Sequence, residues 1–131
     1  MIVVDASAVV EFILGTFRAP AVGRRIMAPL ETLHAPHLLD LEVASVLRRH
    51  VAAGTLDPAR ALLGFRNLAD LGVIRHAHDA LLPRIWGLRH NATASDAAYL
   101  ALAETLGAPL VTCDAKLLGV SGHVARVDLI H

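Results

Sequence analysis

Short β-branched runs alternate along the chain with segments in which apolar residues recur every three to four positions. "IVV" at 2–4 reads as a strand, and "SAVVEFIL" after it as a short helix stopped by Gly15. "LHAP" at 33–36 reads as a second strand. "HLLDLEVASVLRRHVAAG" then carries Leu39, Val43, Val46, Leu47 and Val51 at helical spacing until Gly54 ends the pattern. In "LDPARALLGFRNLADLG", Asp57 stands where a helix is capped, Pro58 suits the first helical position and Gly72 lies past the end. "VIRH" is a weaker third strand. "DALLPRIWGLRH" and "SDAAYLALAETLG" read as two successive helices, the second closed by Gly107. The strand "PLVTC", a short helix "AKLLG" and a last strand within "VARVDLI" complete the series. The alternation predicts an α/β fold with a mainly parallel sheet of about five strands. No repeat, low-complexity tract or linker interrupts it, so residues 1–131 are expected to form a single domain.

That architecture gives meaning to the charge that closes the first strand. In a parallel α/β sheet, strands end and helices begin on one common edge, and ligands bind there. Asp5 follows the first strand and Asp114 follows "PLVTC". Glu42 lies early in the helix after the second strand, and Asp96 in the first turn of the helix leading into "PLVTC". All four acids therefore belong to the carboxyl edge.

Each acid also has a plainer reading. Aspartate at a helix start bonds free backbone N–H groups, which suffices for Asp57 and Asp79 and is an even alternative for Asp5 and Asp114. Asp96 is followed at three, four and seven residues by Tyr99, Leu100 and Ala103, which turns it toward the inward face of its helix. Glu42 shares a helical stripe with Leu39, Val46 and Arg49 in mid-helix, where no cap is needed. A carboxylate so placed calls for a cation, and Arg49 is the candidate within its own helix.

Composition narrows the chemistry. Apolar residues make up 55% of the chain and charged ones 18%, enough for a real core and too apolar for a disordered segment. No uncharged run approaches the roughly 20 residues of a membrane span, so a cytoplasmic protein is expected. Cys113 is the single cysteine, which excludes an internal disulfide and a thiolate cluster and leaves it as apolar filler. His34 with His37, and His76 with His78, lack a third metal ligand and read as ordinary surface histidines. Net charge is zero, so no global basic field draws in an anionic partner. Yet eleven of the twelve cations are arginine, with pairs at Arg24–Arg25 and Arg48–Arg49, and a guanidinium fork suits phosphate. Trp86, Phe65 and Leu68 read as core or protein interface, too few to make a base-stacking platform. Phosphate-cradling Gly-rich loops, nucleophile elbows and H-E-x-x-H motifs are absent.

Several carboxylates converging on one cleft cannot all remain ionised without a cation between them. An all-oxygen donor set favours a hard ion, Mg²⁺ or Mn²⁺, able to activate a water and to neutralise charge on a phosphodiester. Ser7 and Thr112, each two residues from an acid, either orient those carboxylates, hold a metal-bound water, or serve simple turn bonding.

The segments "VVDASAVVEF", "LLDLEVASVLRR" and "SDAAYLALAETLGAPLVTCDAKLL" together resemble the PIN-domain ribonucleases, specifically the VapC-type toxins of bacterial toxin–antitoxin pairs. The resemblance runs over essentially the whole chain. It implies a three-layer α/β/α fold and an acidic site made of Asp5, Glu42, Asp96 and Asp114 binding Mg²⁺ or Mn²⁺. It further implies hydrolytic cleavage of RNA, a VapB-type antitoxin that blocks the site, and a homodimer. Ser45 stands where the family often has Asn. Lys116 stands where some relatives place another acid, which leaves one metal or two as alternatives. Two competing readings are a phosphatase or phosphotransfer domain using Asp5 as covalent acceptor with Lys116 as counter-charge, and an inactive PIN-like binding module. The first leaves Glu42 idle and has Ser7 where a second aspartate belongs. The second is opposed by the presence of all four acids.

Overall fold

A computed structural model describes all 131 residues. Five strands form one sheet: β1 (Ile2–Val4), β2 (Leu33–Pro36), β3 (Ile74–His76), β4 (Leu110–Thr112) and β5 (Val127–Leu129). Their order is β3-β2-β1-β4-β5, and every pairing is parallel. Six helices flank it: α1 (Ala6–Leu14), α2 (Ala19–Ile26), α3 (Leu38–Ala52), α4 (Pro58–Asp70), α5 (Leu82–Gly87) and α6 (Ala94–Leu106). Parallel strands demand crossovers, and crossovers are right-handed. The chain steps from β1 to β2 to β3 in one direction, then returns past β1 to β4, so the two sets of helices fall on opposite faces. Consistently, α1 packs with α2, α3 and α4, while α5 packs with α6.

The central strands β1, β2 and β4 are buried along their whole length, as expected of a sheet covered on both faces. The outer strands β3 and β5 are only partly covered, which is why "VIRH" reads weakly as a strand. α6 is buried continuously from Ala97 to Ala103, and its alanines let it lie close on β1 and β2.

Three elements depart from the sequence expectation. α2 was not foreseen, because Pro20 and Gly23 interrupt a short segment; Pro20 sits harmlessly in its first turn. Gly23 is there for contact: a Cβ would lie 3.2 Å from the Phe12 ring of α1. "DALLPRIWGLRH" splits into a 3-10 turn (Asp79–Leu81) and α5, and "AKLLG" is a 3-10 turn (Ala115–Gly119). The histidines pair across strands and not along the sequence. His34 Nδ1 lies 2.9 Å from His76 Nε2, and the rings of His37 and His78 meet edge-on at 6.0 Å. His78 Nε2 accepts the Leu38 N–H at 2.9 Å, satisfying a free donor at the start of α3.

Burial, with the neighbouring His76 adding to it, holds the His34 imidazole below its ordinary pKa of 6.5. Between that ordinary value and the lowered one, the unfolded chain takes up a proton that the folded chain refuses. Stability therefore rises with pH across this window and is lost as pH falls through it. Thermal melts from pH 7 toward pH 5 are expected to show this loss in the parent and a flatter profile in His34→Gln. Equal slopes would remove His34 from the account.

No single helix is long and apolar enough to cross a membrane.

Candidate active site

Reversal of strand order between β1 and β4 opens a crevice at their carboxyl ends, the place where α/β sheets bind ligands. Asp5 leaves β1 and Asp114 follows β4 by two residues, so the two acids flank that crevice. Asp5 is 6% exposed and Thr112, the last residue of β4, is fully buried.

Three donors pin the Asp5 carboxylate. Oδ1 accepts from Ser7 Oγ at 2.7 Å and from the Ala8 N–H at 3.1 Å; Oδ2 accepts from Thr112 Oγ1 at 2.7 Å. Each hydroxyl accepts in turn from the backbone beyond β4: Ser7 Oγ from the Cys113 N–H and Thr112 Oγ1 from the Asp114 N–H, both at 2.9 Å. Ser7 and Thr112 thus orient the acid and stitch α1 to the end of β4. Capping and site geometry coincide here, because the same Oδ1 that caps α1 belongs to the crevice. Burial pushes the Asp5 pKa above its ordinary value; the three hydrogen bonds oppose this, and the facing charge of Asp114 adds to it.

Asp114 accepts from the Lys116 N–H at 3.0 Å, capping the 3-10 turn, and its Oδ2 stands 3.3 Å from the Lys116 ammonium. The Lys116 ammonium is held in its charged form chiefly by Asp114, with Asp96 and Asp5 acting in the same sense. Asp96 sits in the first turn of α6, half-exposed, its N–H bonded to the Thr93 cap at 3.2 Å. Its carboxylate accepts no hydrogen bond from the protein, and its charge acts on Lys116.

Glu42 is not paired with Arg49. Its Oε1 accepts from Tyr99 Oη at 2.6 Å, an α3–α6 bond that sequence reasoning missed. Burial, reinforced by the charges of Glu42 and Asp5, keeps the Tyr99 phenol protonated, so it acts as a fixed donor to Glu42. The available signal was its place three residues after Asp96 on one helical face. Glu42 also lines a cleft of about 430 Å³ with Ala6, Leu38, Ser45, Arg49 and Ser95.

Cys113 lies just past β4, half-buried, its thiol pushed up to about 11 by burial and the charges of Glu11 and Asp5. It is inert filler, though not within the strand. Trp86 is 68% exposed and carries Arg89 over its ring at 4.7 Å, so it is surface and not core.

The four acids thus share one edge, but no three carboxylate or histidine side chains close on a common point. An all-carboxylate edge of this kind fits Mg²⁺ or Mn²⁺ better than Zn²⁺, since a hard ion needs only one or two carboxylates and takes its other ligands from water and phosphate.

A PIN domain model matches residues 2–122. Ribonuclease VapC12 of Mycobacterium tuberculosis is 41% identical over 130 residues, 99% of each chain. The chain belongs to the VapC ribonucleases of the PIN-domain family. Ribonuclease VapC9 of the same organism is 46% identical over 120 residues, covering 89% of this chain and 88% of its own. Among solved structures, PAE2754 from Pyrobaculum aerophilum superposes with a TM-score of 0.70 at 25% identity, over 97% of this chain and 82% of that one. VapC20 of Mycobacterium tuberculosis, described as a Sarcin-Ricin loop cleaving toxin, gives 0.68 at 17% identity over 95% and 97%, a likeness of fold. The α/β PIN architecture expected of a VapC protein is therefore the one observed.

Proposed function

We propose that this VapC-family chain is the toxin of a toxin–antitoxin pair, a single-domain endoribonuclease that hydrolyses RNA phosphodiester bonds with Mg²⁺ or Mn²⁺. The observation that carries the reading is the Asp5 carboxylate: buried, fixed by three donors, and facing another acid across the switch point of the sheet. A buried carboxylate set against like charge is costly to ionise, and a bound cation reverses that cost. In this reading Asp5, Asp96, Asp114 and Glu42 would line the ion's site, directly or through its waters, and the ion would supply a nucleophilic water and neutralise charge on the phosphate. Ser7 and Thr112 keep Asp5 oriented. Tyr99 fixes Glu42 and remains a donor throughout. Lys116 holds Asp114 and offers positive charge at the mouth. A covalent phosphotransfer scheme fits less well, because it leaves Glu42 idle and has Ser7, which donates to Asp5, where a second aspartate belongs.

The resemblance implies two protein partners, and the surface offers a place for one of them. Between α3 and α4 runs an apolar groove of about 520 Å³ lined by Leu47, Val51, Ala61, Leu62 and Phe65, with Leu62 67% exposed. Exposed apolar side chains gathered in one groove offer a surface for a partner. We assign it to an apolar segment of a VapB-type antitoxin, and we assign the chain to a homodimer.

Purified protein is expected to generate new RNA ends with Mg²⁺ or Mn²⁺, to stop in EDTA, and to stop again on addition of the antitoxin. Light scattering on the same samples is expected to show a dimer that gains mass with the antitoxin. Undiminished cleavage in EDTA would overturn the metal reading.

A further inference from the structure

Eleven arginines divide by what they touch. Arg18, Arg25, Arg75, Arg84 and Arg126 are paired with acids. Arg60 donates to the carbonyls of Ile13 and Leu14, and Arg89 lies over Trp86. The side chains of the remaining four, Arg24, Arg48, Arg49 and Arg66, are exposed and make neither an ion pair nor a hydrogen bond. Of these, only Arg49 stands in the wall of the cleft that contains Glu42.

Its position follows from the helix. Glu42 and Arg49 are seven residues apart on α3, two turns along one face and about 10.5 Å along the axis. That spacing is too long for a relaxed ion pair, and Glu42 is already occupied by Tyr99. Arg49 is therefore left as an uncompensated cation on the wall that leads away from the carboxylates. Between the two ends lie the hydroxyls of Ser45 and Ser95, neither of which bonds to protein, and the side chain of Leu41, 73% exposed. A guanidinium, two free hydroxyls and an apolar face are the complement of a sugar–phosphate chain.

We propose that Arg49 binds a backbone phosphate of single-stranded RNA, one flanking the bond being cut, and so sets the register of the strand over the carboxylate edge. This rests on the nuclease reading above. The cleft shares Glu42 with that edge, so a strand whose scissile phosphate lies at the acids has this wall as a path outward, which favours RNA over a protein carboxylate as the ligand of Arg49. A phosphate contact carries no sequence information, so it governs affinity and register and leaves base choice to other groups. Arg49 is accordingly a positioning residue.

The test uses Asp5→Asn protein, which on the nuclease reading binds without cutting, and a fluorescein-labelled pool of random-sequence single-stranded RNA 20-mers. Anisotropy is measured across 50–200 mM KCl for this protein alone and with Arg49→Gln or Arg49→Lys added. Loss of one phosphate contact on single-stranded nucleic acid lowers the slope of log affinity against log salt by about 0.7. Arg49→Gln is expected to weaken binding several-fold and to lower the slope by about that amount. Arg49→Lys is expected to keep the slope. In the otherwise unaltered chain, Arg49→Gln is expected to raise KM with kcat nearly unchanged, and all variants are expected to melt with the parent. Unchanged affinity and slope in Arg49→Gln would overturn the proposal. So would failure of the pool to bind when Arg49 is intact, or loss of antitoxin binding with RNA binding untouched, which would make Arg49 a protein contact. Cleavage by the parent with Mg²⁺ separates the two levels: if it persists, only the Arg49 assignment falls, and if the parent cuts no RNA, the nuclease reading falls.

Discussion

Asp5→Asn is expected to lower RNA cleavage by on the order of a hundredfold or more without unfolding the protein. Residues that merely orient a metal's ligands cost roughly 10- to 100-fold when altered, so loss of a ligand's charge sets that range as a floor. The fold survives because the hydrogen bonds can be rewired. The carboxamide oxygen keeps the Ser7 and Ala8 bonds, and its NH₂ donates to Thr112 Oγ1, which has a second lone pair beside the one taken by the Asp114 N–H. The freed Thr112 proton then turns to Ser7 Oγ, already 3.1 Å away. Burial raises the Asp5 pKa, so ionised Asp5 opposes folding above that pKa, and the opposition fades as pH falls through it toward the unfolded value. Metal-free Asp5→Asn is therefore expected to melt no lower than the metal-free parent at neutral pH. Asp96→Asn is expected to lose activity similarly, since its carboxylate has no structural bond to lose. Full cleavage by either variant at ordinary Mg²⁺ would remove that residue from the site.

Much of this was legible in the sequence because the physics is local. Asp5 after "IVV" and Asp114 after "PLVTC" mark strand ends by composition alone, and the parallel topology then forces both onto one edge. α3 was visible for a related reason, since Leu39, Val43 and Leu47 bury a stripe that repeats at helical period, and α4 and α6 were visible by their end signals, Asp57 with Pro58 and Gly107. What stayed hidden depends on pairs distant in sequence. Tyr99 meets Glu42 across 57 residues, and the Ser7–Thr112 contact spans 105, so no spacing rule announces either. α2 was hidden by the opposite circumstance: Gly23 weakens the local helical signal in order to satisfy a contact with Phe12. The plainer alternative for Glu42, an ion pair with Arg49 set beside the metal-ligand reading, fails because the fold supplies a neutral donor from another helix.

That failure sharpens the question of what Glu42 does. Were it a structural acid, its function would be complete in the 2.6 Å bond from Tyr99, and Glu42→Gln, which keeps an acceptor oxygen, would change little. A tyrosine donor fixes a carboxylate without neutralising it, leaving Glu42 negative and its second oxygen unbonded in the cleft. If that charge holds the ion, Mn²⁺ at a hundredfold excess over its Kd stabilises the parent by about 2.7 kcal/mol, on the order of 10 °C in Tm for a domain of this size. A tenfold loss of affinity removes roughly half of that shift. Glu42→Gln is therefore expected to melt like the parent in EDTA, to show about half the Mn²⁺-dependent rise or less, and to lose cleavage in parallel. Tyr99→Phe is the control that separates charge from orientation: it leaves the carboxylate but frees it to turn, so the Mn²⁺ shift is expected to shrink less than in Glu42→Gln. Melts of the three proteins with and without Mn²⁺ decide the matter, and a full shift in Glu42→Gln would leave Glu42 as the anchor of α3 against α6 and nothing more.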